Sequence, residues 1–181
     1  MKLCFYDIET TGLDWDTGHK IIEVACSLYE SDDHRHIGDF VRRINRERAI
    51  DPAAQAVHGI AFEELSLEDK WISIAPKLHK LFAGVDVVVA HNGNGFDLPF
   101  TAHQFKAVGL DMPRCFHHAI DTMVQGRWAT PLGKTPNLGE LCVAAGVSYD
   151  PDKAHSALYD VNVMAQAFFA ALDWGHFTLS W

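Results

Sequence analysis

The sequence predicts an α/β fold, a mixed five-stranded sheet flanked by helices, from three observations. Strand-type segments crowd the first 44 residues, helical and strand patterns alternate after them, and 85–90 (Val-Asp-Val-Val-Val-Ala) is almost continuously apolar. Strands followed by alternating helices and strands characterise layered α/β domains, and an unbroken apolar strand suits a sheet covered on both faces. The chain has 181 residues and 48% hydrophobic content, enough to close one core.

Residues 2–8 (Lys-Leu-Cys-Phe-Tyr-Asp-Ile) read as the first strand and enter a turn at Thr10-Thr11-Gly12. The second covers 21–29, with β-branched residues early and no proline, and the third covers 37–44. Gly18-His19 and Ser31-Asp32-Asp33 are the turn signals between them, so 2–44 forms an antiparallel meander. Ile74, Leu78, Leu81 and Phe82 recur at helical spacing and predict a helix over 74–82, stopped by Gly84. Residues 85–90 make the fourth strand and 115–120 the fifth, with further helices at 98–108, 138–145 and 157–172. Residues 1–173 then form one domain. The apolar tail 174–181 either packs back on it or docks on a polymerase, a clamp or a second copy.

With 24 acidic and 15 basic side chains the net charge is -9, which argues against coating nucleic acid through bulk charge. An enzyme that grips a substrate locally is not excluded. A charged fraction of 22% with 11% aromatics excludes disorder. No apolar run approaches the roughly 20 residues that cross a bilayer. An acid at position 7 interrupts any secretory core, and Cys4, Cys26, Cys115 and Cys142 are too scattered for a C-x-x-C pair. The expectation is a cytoplasmic protein with reduced, buried thiols and no membrane contact.

Asp7 and Glu9 stand two apart in an otherwise apolar segment, so on a strand they share a face. Adjacent carboxylates repel unless a cation or proton intervenes. Either they hold a hard divalent cation such as Mg²⁺ or Mn²⁺, or they are hydrated at a strand end. Asp97 follows the fourth strand through His91-Asn92-Gly93-Asn94-Gly95-Phe96. Strand ends in open α/β sheets face the ligand crevice, but Asp97 before Leu98-Pro99 also fits a helix N-cap. His155 and Asp160 open the last helix. They can point into one cleft only if His155 lies in the loop and Asp160 on the first turns. There a neutral imidazole can take a proton from an attacking water; alternatively His155 is an exposed loop residue and Asp160 an acid favoured by the helix dipole.

Together these segments resemble the DEDD exonucleases with a histidine base, most closely the DNA-proofreading branch. The resemblance runs from Phe5 to about Leu172 through Asp7-Ile8-Glu9-Thr10-Thr11-Gly12-Leu13, Phe96-Asp97, and His155 with Asp160. Val57-His58-Gly59-Ile60 matches the loop after the third strand, and Asn137-Leu138-Gly139-Glu140-Leu141-Cys142 the segment before the last motif. A related subfamily places tyrosine where this chain has Ser156, and Tyr159 should point elsewhere, which favours the histidine version. One departure is an extra residue between Asn92 and Phe96, in a glycine-bearing loop.

The resemblance implies an RNase H-like fold and 3′→5′ hydrolysis of phosphodiesters to nucleoside 5′-monophosphates. Asp7, Glu9, Asp97 and Asp160 would ligate two divalent cations, Mg²⁺ or Mn²⁺, that clamp the scissile phosphate, with His155 as general base. Activity should then rise from mildly acidic to alkaline pH. Thr10, Thr11, Leu13 and Asn92 would contact the strand end, single-stranded or frayed DNA, while Val57, His58 and Phe96 line a pocket for the terminal base and sugar. Core packing is the alternative use of Leu13, Val57 and Phe96. Arg35, Arg42, Arg43, Arg46 and Arg48 are either a solvated face or a track for the incoming strand. His117-His118 reads as structural, and Asp121-Thr122 as ordering a neighbouring loop. The competing functions are an exoribonuclease of the same fold and a catalytically silent binding module; five intact catalytic positions argue against the latter.

Overall fold

The computed structural model describes residues 1–179; Ser180 and Trp181, the end of the expected tail, lie outside the described residues. Three antiparallel strands open the chain: β1 (Lys2–Thr10), β2 (Ile21–Glu30) and β3 (His36–Arg43). Helices α1 (Pro52–His58) and α2 (Trp71–Phe82) follow, then β4 (Val87–Ala90) and α3 (Asp97–Lys106). The chain continues through β5 (Ile120–Asp121), α4 (Thr122–Gln125), α5 (Leu138–Ala144) and α6 (Ala157–Asp173). The sheet order is β3-β2-β1-β4-β5, with β4 and β5 parallel to their neighbours. This is the mixed five-stranded sheet flanked by helices that the sequence predicts, in the RNase H-like arrangement.

β1 is buried along most of its length because side chains alternate between two cores. Leu3 and Phe5 face α5 and α6, where the ring of Phe5 meets Tyr29, Phe168 and Phe169, each at 5.4 Å. Cys4, Tyr6 and Ile8 face α2 and α3. Burying one such aromatic side chain contributes about 1.5–3 kcal/mol. Asp7 and Glu9 continue the odd-numbered row, so the face that packs against α6 ends in two acids. Between Glu9 and Thr10 the β1–β2 register shifts, and Ile22 joins Ile60 and Leu65 in a small separate cluster.

Two elements differ from the sequence reading. The expected strand over 115–120 is a 3-10 helix, Arg114–His118, followed by a strand of two residues. The Phe116 N–H closes a tight turn on Pro113 O, which places buried Cys115 and Phe116 in a helical turn rather than on a sheet ladder. Val57 and His58 sit in the last turn of α1 rather than in a loop. Asp51-Pro52 before the helix and Gly59 after it were the available signals. The four cysteines are free and buried, and among the described residues no helix is long and apolar enough to cross a membrane. After α6, Phe177 is buried against Phe168 and His176 stacks on Trp128 at 4.3 Å, while Trp174 is exposed.

Candidate active site

The acids of β1 meet α6. Ligand oxygens of Asp7, Glu9 and Asp160 lie within 4.8 Å of one another, with Glu9 and Asp160 buried and Asp7 half-buried. Asp160 stands in the first turn of α6, with Ser156 at the N-cap position, and His155 precedes it in the left-handed region, φ 62°. The His155 backbone N–H donates to Asp160 Oδ2 at 2.9 Å, so the same carboxylate that closes the cluster also fixes the turn carrying the imidazole. The other oxygen, Oδ1, is buried without a partner. Tyr159 points away and accepts from the Asp150 N–H.

Asp97 is the first residue of α3 and Phe96 its N-cap, which removes the capping alternative for Asp97. Its carboxylate is buried and Oδ1 accepts from the Ile8 N–H at 3.2 Å, which ties α3 to the strand between Asp7 and Glu9. It is outside the closest group of three. The enlarged loop before it is held by Asp121, which accepts from the Asn92 and Asn94 N–H groups and from Met123 and Val124 at the start of α4. Asn92 takes φ 64°, and a side chain at Gly95 would meet Asn92 Oδ1 at 2.6 Å, so the extra residue is absorbed where glycine permits close approach. Asp121 thus orders the loop as expected.

Crowding governs the electrostatics. Burial, then the charges of Asp97, Glu9, Asp160 and Glu23, raise the Asp7 carboxyl well above its usual range. Burial with Asp160, Glu23 and Asp97 lifts Glu9 to about 9. Burial lifts Asp97 to about 7 against two backbone N–H donors, and Asp160 to about 6 against the His155 N–H. Carboxylates this reluctant to ionise invite a cation. An all-oxygen donor set with a bare, buried Asp160 oxygen fits a hard divalent ion.

A cavity of about 560 Å³ opens onto these acids, and Asp7, Glu9, Thr10, Leu13, Val57, His58, Phe96, His155 and Asp160 all line it. Leu13 is 80% exposed and Val57 52%, so neither is used in core packing; Phe96 is half-buried against Phe100. His58 Nδ1 accepts from the Ile60 N–H, Nε2 is buried, and burial pushes the ring's pKa down against the Thr10 backbone beside it. Thr11 is turned inward and Asn92 lies outside the cavity lining, so the structure does not bring these two to the pocket. Four of the five arginines make contacts within the chain. Arg43 bridges Glu23 and Glu64, Arg46 bonds Ile21 O and Gln104 over the Trp71 ring, Arg42 covers Phe40, and Arg35 sits between Glu30 and Asp33.

Sequence reading missed Glu23, His19, Asp14 and Asp51. Glu23 opposes Glu9 across the β1–β2 ladder, a register that no spacing within one strand reveals. The other three line the cavity from turns and a helix start.

The family model RNase_T, described as Exonuclease, matches residues 4–168. The chain is 30% identical over 171 residues to the DNA polymerase III subunit epsilon of Escherichia coli (strain K12), covering 91% of this chain and 68% of that protein. It is also 30% identical over 170 residues to the same subunit of Rickettsia typhi, covering 91% and 71%. Among solved structures, E. coli exonuclease I with a dT13 oligonucleotide superposes with a TM-score of 0.78 at 20% identity, over 94% of this chain. The zinc-bound exonuclease I–single-stranded DNA complex gives 0.82 at 19%, over 95%. The chain spans about 40% of either exonuclease I chain, and at these identities the likeness concerns the fold.

Proposed function

The chain belongs to the RNase_T exonuclease family, and from that membership we propose that it hydrolyses DNA from the 3′ end, releasing nucleoside 5′-monophosphates. The observation that carries this reading is the convergence of Asp7, Glu9 and Asp160 within 4.8 Å, in the cavity that His155 also lines. Asp7, Glu9, Asp97 and Asp160 would hold two divalent cations, Mg²⁺ or Mn²⁺, which when bound supply charge stabilisation at the scissile phosphate and a more acidic attacking water. His155, on the turn fixed by its backbone bond to Asp160, accepts the proton of the attacking water. Leu13, Val57 and Phe96 offer apolar contact to the terminal base, which tolerates any base and suits sequence-independent cleavage. His58 stands beside Val57 on the same wall of the cavity. Thr10 donates to Gly12 O and shapes the strap beside it.

Incubation of 5′-labelled single-stranded DNA, mispaired duplex and RNA with Mg²⁺, Mn²⁺ or chelator tests the proposal. A ladder receding from the 3′ end of DNA, lost with chelator, is expected. Cleavage of RNA alone moves the substrate to RNA ends, and no cleavage with either metal defeats the enzymatic reading.

A further inference from the structure

We propose that His19 is a positioning residue of the substrate pocket, holding the strap 10–13 against the start of α1 and so setting how tightly a strand end is gripped. Its consequence for substrate rests on the nuclease reading; its structural content does not. His19 is a buried polar residue on the cavity wall, in the turn between β1 and β2. Its ring reaches both walls of the pocket. Nδ1 lies 3.0 Å from Thr11 Oγ1, and Nε2 lies 3.5 Å from Asp51 Oδ2, at the N-cap of α1.

The hydrogen inventory gives this contact a direction. Thr11 Oγ1 accepts from the Lys20 N–H, which leaves its own proton free for a lone pair on Nδ1. Asp51 offers only acceptors when ionised. A neutral ring satisfying both neighbours therefore carries its proton on Nε2. Beneath the ring, Gln104 Nε2 donates to His19 O, and Arg46 in turn holds Gln104. Above it, a methyl group at Gly12 would overlap the ring, so the strap can lie this close only because residue 12 lacks one. The Asp51 N–H also donates to Thr11 O at 2.9 Å, and His19 adds a side-chain tie beside that backbone one. Leu13 extends from one tied segment; Val57 and His58 sit on the helix started by the other. The spacing between these walls is the width available to the terminal nucleotide.

Three readouts test the inference on the full chain. Long-range ¹H–¹⁵N correlation of the ring should show neutral His19 protonated at Nε2; a neutral ring protonated at Nδ1 overturns it. With 5′-labelled single-stranded DNA, His19→Ala should raise KM about five- to tenfold, the scale of one lost hydrogen bond with its packing, and leave kcat within about threefold. His19→Gln, whose amide reaches towards Asp51, should recover part of that loss. A wild-type KM in His19→Ala, or a loss confined to kcat, overturns the proposal. Gly12→Ala should lower the melting temperature, and Gly12→Ala/His19→Ala should restore it while KM stays high. Recovery of KM together with melting temperature would reduce His19 to packing and sink the idea. A wild-type chain that cuts nothing fails the nuclease reading separately, because ring tautomer and the Gly12–His19 melting pair need no turnover.

Discussion

The acids of the cavity stand on its deepest elements, β1 and the first turn of α6, whereas Leu13, Val57 and His58 stand on a turn and a seven-residue helix at the surface. The acid wall is fixed by two aromatic and aliphatic cores and is repulsive within itself. The apolar wall is exposed: α1 buries none of its residues, and Leu13 is 80% exposed. Stability and function therefore pull against each other on one wall and are nearly independent on the other. Preorganised charge needs a rigid frame that can hold like charges together, while contact with any of four bases needs only an accessible apolar surface.

The sharpest way to break this contrast is Asp7→Ala. It should abolish hydrolysis by about 10³-fold or more, the scale of losing several kcal/mol of charge stabilisation, while raising the melting temperature in chelator by removing a buried repulsion. A parallel fall in both would mean that the acids stabilise the fold. Next in size is His155→Ala, expected to slow hydrolysis by about 10²–10⁴-fold and to flatten the rise of rate with pH, with cation binding measured by calorimetry largely intact. Loss of cation binding in that variant would overturn the assigned role.

The metal-free protein gives a third measure. Asp97, Asp160 and Glu9 carry folded pKa values of about 7, 6 and 9, above the unfolded carboxylate values near 4. The folded chain therefore binds more protons than the unfolded chain between about pH 4 and 9, so this contribution to stability falls as pH rises. In chelator the melting temperature should drop across that window, and Mn²⁺ should raise it more at pH 8 than at pH 6. Equal rescue at both would place the cation elsewhere. The smallest effect belongs to the apolar wall. Val57→Ser should raise KM a few-fold and shift stability by no more than about 0.5 kcal/mol, whereas Phe5→Ala in the sheet should cost about 3–5 kcal/mol by denaturant titration.

This division also explains how much was legible in sequence. Asp7 and Glu9 interrupt an apolar period-two pattern, and His155 and Asp160 mark a helix start, so both features are local and could be read. The surroundings of the site are not local. Glu23 matters because of a cross-strand register, and Arg43 and Arg46 are engaged by Glu23, Glu64 and Gln104, partners 20 to 58 positions away. α1 escaped because seven residues give too little periodicity to register. The fifth strand failed because buried Cys115 and Phe116 look strand-like in composition yet belong to a tight turn.

The alternation along β1 has one more consequence. A strand that pairs one residue out of register turns every side chain to the opposite face. In β1 that slip would put Ile8 where the acids belong and drive Asp7 and Glu9 into the aromatic layer against α2 and α3. Core and cleavage site share a single reading frame, so a misassembled chain loses its cutting edge along with its core. For a protein proposed to degrade DNA, the strand acts as a safety catch released only by correct folding.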